Sequence, residues 1–92
     1  MSHRALLHQA SMRAPLLIPD LDSNAHCERV AGDAGGDAAM RRCLWVEEYA
    51  RSELETFWPS TRVDIRPRCI EQNDEESYAE LARCVLRLRR AR

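Results

Sequence analysis

The sequence predicts an all-α fold, a single small domain of two consecutive helical hairpins, each stapled by a disulfide. Three observations predict it. Apolar residues recur at helical spacing over residues 40–57 and 78–88; glycine-rich and polar turns interrupt the helical runs; and four cysteines stand in two pairs of nearly equal spacing. A chain of 92 residues makes one domain. At that size only ~60–65% of the unfolded surface is buried, so the core is thin and a cross-link has much to stabilise. At 45% hydrophobic and 32% charged, the composition is that of a globular chain.

Residues 1–19 carry Pro15 and Pro19 and no clean period, and are expected to form a flexible or loosely docked arm ahead of a helical domain over 20–92. Asp20, Asp22, Ser23 and Asn24 are N-cap residue types, and a short helix follows to Ala31. Gly32-Asp33-Ala34-Gly35-Gly36 ends it, because each glycine costs ~1 kcal/mol against alanine in a helix and supplies the positive φ of a turn. Asp37 caps a second, longer helix to Trp58, free of Gly and Pro, with Met40, Cys43/Leu44, Ala50, Leu54 and Phe57 at helical spacing. Glu47–Arg51 is a favourable i,i+4 pair, and Arg51–Glu55 a reversed one. Pro59 closes hairpin one, about residues 23–58.

Hairpin two spans about residues 60–90. Ser60 or Thr61 caps a third helix over 61–71, in which Pro67 fits only as the start of a separate helical turn. Gln72-Asn73-Asp74 turns the chain, and Ser77 with Glu80 matches a capping box for a last helix to Arg89. Glu71, Asp74, Glu75, Glu76 and Glu80 precede or open that helix, and arginines close it, as the helix dipole favours.

Cysteines 27 and 43 are sixteen positions apart, and 69 and 84 fifteen. On one straight helix the first pair would lie about 160° apart around the axis. Bent back at the glycines, the two cysteines face each other, which favours the pairing Cys27–Cys43 with Cys69–Cys84. Each closure is worth ~3 kcal/mol in the chain-entropy model. Two alternatives stand beside it. Cys27–Cys84 with Cys43–Cys69 would resemble the twin-cysteine hairpins of the mitochondrial intermembrane space, whose spacings are shorter. Four buried free thiols would suit a reducing compartment.

Certain residues resemble a group of small alphaproteobacterial cysteine-containing helical proteins that usually carry export signals. They are Pro19-Asp20-Leu21-Asp22, Cys27-x-x-Val30-Ala31, Gly35-Gly36, Cys43-x-x-x-Glu47, Leu54, Trp58, Arg68-Cys69 and Ser77-Tyr78-x-x-Leu81-x-x-Cys84. The likeness covers residues 19–88. It implies the helical fold and a periplasmic or secreted location; it implies no activity. The chain departs from that pattern at Asp37-Ala38, where the group commonly has Ser-Tyr after Gly-Gly. It departs again at the N-terminus, where His8, Gln9, Ser11 and Arg13 interrupt the apolar run after Arg4 that an export signal requires. A cytoplasmic location therefore stays open.

The chemistry-bearing residues are few. His3, His8, His26 and the cysteines lack the short Cys-x₂₋₄-Cys spacing of zinc sites, so no metal or other cofactor is expected. The cysteines also lack the Cys-x-x-Cys spacing of a redox pair. Glu47, Glu48, Glu53 and Glu55 are expected on a solvated helix face, and no hydrolase or phosphate-binding motif occurs, so no enzyme activity is expected. Trp45, Tyr49 and Trp58 either cover the neighbouring hairpin, the first expectation, or form a surface for an unidentified protein partner. Arg87, Arg89, Arg90 and Arg92 make a basic tail that answers the helix dipole or contacts nucleic acid. No apolar run reaches the ~18 residues of a membrane span. All fourteen basic residues are arginine, but they are interleaved with acids to a net charge of −1, so no nucleic-acid or anionic-membrane surface is expected overall. The leading expectation is a non-catalytic structural or interaction module of the bacterial envelope. The alternative is a cytosolic adaptor or nucleic-acid-associated protein with reduced thiols. The oligomeric state is not legible.

Overall fold

The computed structural model describes residues 17–91, and among them every regular element is helical. Helix α1 is Ser23–Phe57, α2 is Ile65–Gln72 and α3 is Tyr78–Arg90, with a 3₁₀ turn, Trp58–Ser60, after α1. Asp22 caps α1, its carboxylate accepting from the Ala25 amide at 3.0 Å.

α1 is not one rod. Gly32 (φ 60°, ψ −178°) and Gly36 (φ 65°, ψ −166°) leave the helical region for backbone angles open essentially to glycine alone. They fold the helix into two arms, residues 23–31 and 37–57. A straight helix would hold Cys27 and Cys43 about 24 Å apart; here their Cα atoms are 5.6 Å apart and a disulfide joins them. Cys69 and Cys84 are also 5.6 Å apart at Cα and joined. Each hairpin thus carries its own disulfide, and among the described residues no cysteine is free.

The expected third helix begins later than residue 61. Ser60 and Thr61 do not cap it; their hydroxyls donate back to the Phe57 carbonyl at 3.0 and 2.8 Å and finish α1. Asp64 stands at the N-cap of α2 without a capping bond, its carboxylate gripped instead by the Arg62 guanidinium at 2.8 and 3.1 Å. That guanidinium holds the Asp64 carboxyl below its usual range. The later start resolves Pro67. As the third residue of α2 it lies in the first turn, where its missing N–H has no intrahelical partner to lose. Arg66, almost fully buried, donates to the Thr61 and Pro59 carbonyls at 3.0 and 3.3 Å and ties α2 to the end of α1.

The core is one cluster: Ala50, Leu54 and Trp58, then Ile65 and Cys69, then Tyr78, Leu81, Ala82, Cys84 and Val85. It lies where the long arm of α1 meets α3, with α2 closing one side. The second disulfide belongs to this cluster and the first does not. Ile18 and Leu21 also pack against it, so the segment ahead of α1 is docked from residue 18. The Tyr78 hydroxyl fixes that segment, donating to the Pro19 carbonyl at 2.9 Å and accepting from the Leu21 amide at 3.0 Å. Leu17 is exposed, and residues 1–16 of the expected arm, with Arg92, lie outside the described residues. No helix among the described residues is long and apolar enough to cross a membrane.

Candidate functional site

Three places on this scaffold bear polar or aromatic groups that the fold gathers: a carboxylate between the hairpins, a groove beside it, and an aromatic face on the outside of α1.

Glu47 is the carboxylate. Expected on a solvated face and paired with Arg51, it is instead 2% exposed and points at the start of α3. Its Oε1 accepts from the Ser23 hydroxyl and the Tyr78 amide, both at 2.8 Å. Its Oε2 accepts from the Ser77 hydroxyl at 2.6 Å and the Ala79 amide at 3.1 Å. Ser77 accepts in turn from the Glu80 amide at 3.2 Å, and its carbonyl from the Leu81 amide at 3.0 Å. The first four amides of α3 are therefore all satisfied, two of them by a side chain from another helix. Only half of the expected capping box forms. The Ser77 amide donates to the Asn73 side chain at 3.2 Å, while the Glu80 carboxylate accepts from Arg83 at 2.6 Å. Arg51, freed from the expected pair, lies over the Tyr78 ring at 5.5 Å.

Burial opposes ionisation of Glu47, but the hydrogen bonds from Ser77, the Tyr78 and Ala79 amides and Ser23 outweigh it and hold the carboxyl below its usual range. A general base needs a pKa near the working pH and a free lone pair aimed at substrate. With its oxygens engaged by four donors, Glu47 is built as an anchor. The signal for it was in the sequence: Cys43, Glu47, Ala50 and Leu54 fall at i, i+4, i+7 and i+11, one stripe of a helix.

The groove, about 590 Å³, runs between the short arm of α1, its long arm and the start of α3, with His26, Val30, Val46, Glu75 and Arg83 among its walls. His26 is buried, and its Nδ1 has no hydrogen-bond partner among the described residues. The walls carry both signs of charge, and Arg83 is already paired with Glu80. No group of three His, Cys, Asp or Glu side chains converges as metal ligands would among the described residues. The cysteines, all in disulfides, offer no thiolate to zinc.

The aromatic face is a correction to the first expectation for Trp45 and Tyr49. They do not cover the neighbouring hairpin: Trp45 is 66% and Tyr49 57% exposed. Their rings stack on each other, centroids 5.8 Å apart and planes 19° apart. Val46 beside them is also exposed. Trp58 does not join them; it is 1% exposed and belongs to the core. At the far end of α3, Arg87, Arg89 and Arg90 are exposed in the last turn, as the dipole favours. Arg89 is engaged, its guanidinium lying over the Phe57 ring at 5.5 Å. Comparison with known proteins finds no matching family model, no matching curated protein and no matching solved structure.

Proposed function

We propose that the chain is a non-catalytic structural or interaction module of the bacterial envelope, and that the Trp45–Tyr49 face is its contact surface. The observation that carries the reading is that stacked, exposed pair on a scaffold closed by two intrahairpin disulfides. Large aromatics anchor protein interfaces because they bury much area at little entropic cost. Disulfides persist in oxidising compartments and are rare in reducing ones, which favours the periplasm or the exterior. The resemblance to small exported cysteine proteins of alphaproteobacteria points the same way. The gathered carboxylate, Glu47, is occupied in holding the fold, which supports a binding role over a chemical one.

The second reading, a cytosolic or nucleic-acid-associated protein, rests on the exposed Arg87 and Arg90 at the end of α3. It requires reduced thiols. A thiol titration of the protein taken from its native cells, trapped at harvest and denatured without reductant, decides between them. No free thiols, together with recovery in the envelope fraction, supports the first reading. Four free thiols in the cytosolic fraction overturns it, and DNA retention that is lost at high salt and on deleting residues 87–92 would then establish the second.

A further inference from the structure

Residues four apart on a helix form its surface ridges, and two helices that interlock such ridges cross near 50°. The exposed face of α1 carries one such ridge whose composition is unusual: Arg41, Trp45, Tyr49 and Glu53, all exposed. A positive end, a stacked aromatic centre and a negative end follow one another at a single spacing. Neither Arg41 nor Glu53 enters a salt bridge among the described residues, where the ion pairs are Arg62–Asp64 and Arg83–Glu80. The ridge lies opposite Glu47, Ala50 and Leu54, so the side chains that hold the fold together turn away from it.

A surface that is self-complementary when reversed fits its own copy. In a two-fold dimer the same patch is used on both sides, so residue i meets j and j meets i. We propose that this ridge packs alongside the same ridge of a second copy of the chain, running in the opposite direction about a two-fold axis between Trp45 and Tyr49. Trp45 then meets Tyr49 of the second copy, and Arg41 meets Glu53 of the second copy, twice each. The inference rests on the Trp45–Tyr49 face being the contact surface and adds which partner it takes. A contact made chiefly by one helix from each copy is small beside a standard interface, so association should appear in the micromolar range.

The test is sedimentation of the full, oxidised chain from low micromolar to high micromolar concentration. The expected result is a rise from 10.6 kDa toward twice that mass. Trp45→Ala with Tyr49→Ala should raise the dissociation constant at least ~30-fold, the scale of losing an interface anchor, with the helical circular dichroism and the absence of free thiols unchanged. Arg41→Glu and Glu53→Arg should each weaken self-association, since each sets like charges against each other at both ends. Mixed together, those two variants should form a heterodimer, because every facing pair is then opposite in sign. A chain that stays monomeric throughout overturns the proposal, and so does a dimer indifferent to the aromatic double variant. A dimer whose charge variants fail to prefer each other overturns the reversed register. A monomer without free thiols would remove this proposal and leave the envelope reading standing; a dimer recovered with four free thiols from the cytosol would do the converse.

Discussion

Glu47 and Ser77, thirty residues apart in sequence, share a 2.6 Å hydrogen bond in which the Ser77 hydroxyl donates to the carboxylate while accepting from the Glu80 amide. The pair is the joint between the hairpins: Glu47 belongs to the long arm of α1, Ser77 caps α3, and Ser23 on the short arm donates to the same carboxylate. One anion thus organises three segments and sits at the positive end of the α3 dipole.

Glu47→Gln should destabilise the fold by about 2–3 kcal/mol at neutral pH, since it leaves buried donors facing an amide in place of a carboxylate. Because folding holds the Glu47 carboxyl below its ordinary value of 4.5, the stability it contributes is present above that value and is lost as pH falls through the folded-state pKa. The gap between wild type and Glu47→Gln should therefore narrow as pH drops below about 4.5, the glutamine standing in for the protonated acid. Asp64, also held low, is common to both proteins and drops out of the difference. Urea melts from pH 7 to pH 3 check this; a gap that stays constant over that range would refute the role given to the charge.

The two disulfides should not be equivalent. Cys69–Cys84 lies within the core cluster, whereas Cys27–Cys43 fastens a short arm whose Asn24, Glu28, Arg29 and Val30 are exposed. Beyond the disulfide, that arm is held by the Ser23–Glu47 bond and by Arg29 donating to the Glu75 carbonyl at 3.1 Å. Replacing Cys27 and Cys43 by serine should lift amide-exchange protection over residues 24–36 while leaving that of α3 near its original level. Replacing Cys69 and Cys84 should lower protection everywhere, by about 2–4 kcal/mol in global stability. Equal, global losses from both pairs would contradict this division.

Tyr78→Phe removes one hydroxyl that serves two backbone groups, the Pro19 carbonyl and the Leu21 amide, and leaves the ring beneath Arg51. The cost should be about 1–2 kcal/mol, and it should fall on the segment ahead of α1. Faster exchange at the Leu21 amide, with the α3 amides little changed, is the expected signature; protease cutting near residue 20 is a second readout.

Much of this was legible in the sequence where one local rule decides. Gly32 and Gly36 mark the bend, the two spacings mark the pairing of the cysteines, and Ser77 marks the start of α3. The joint was not, because its acceptor comes from another hairpin: an acid three positions after Ser77 reads as the capping partner, yet Glu80 turns to Arg83, Asn73 takes the Ser77 amide, and the distant Glu47 takes those of Tyr78 and Ala79. Trp45, Tyr49 and Trp58 are a different case. All three are aromatics on one helical run, but Trp58 follows Leu54 by four residues on the stripe of Cys43, Glu47, Ala50 and Leu54, while Trp45 and Tyr49 lie on the opposite side. The helical period therefore separates the core residue from the exposed pair once that stripe is recognised. Ser60 and Thr61 are N-cap residue types that finish α1 instead, both hydroxyls donating to the Phe57 carbonyl that the helix end leaves open.

Glu76 is the remaining place where sequence and backbone disagree. It adopts φ 51°, the left-handed region that costs a residue with a Cβ roughly 1–2 kcal/mol. The turn holds it there: its amide donates to the Asn73 carbonyl at 3.3 Å, and the Asn73 side chain accepts from the Ser77 amide one residue on. Ser77 and Tyr78, the two residues that follow, are those that donate to Glu47, so this turn leads directly into the joint. Glu76→Gly should relieve the strain but widen the unfolded ensemble, and the two effects oppose each other. The net should be a gain of up to about 1 kcal/mol, because the glycine's entropic cost is the smaller of the two. Glu76→Ala, which keeps the Cβ, should show no such gain, and thermal melts of the two variants side by side separate relief of backbone strain from simple loss of an acidic side chain beside Glu75.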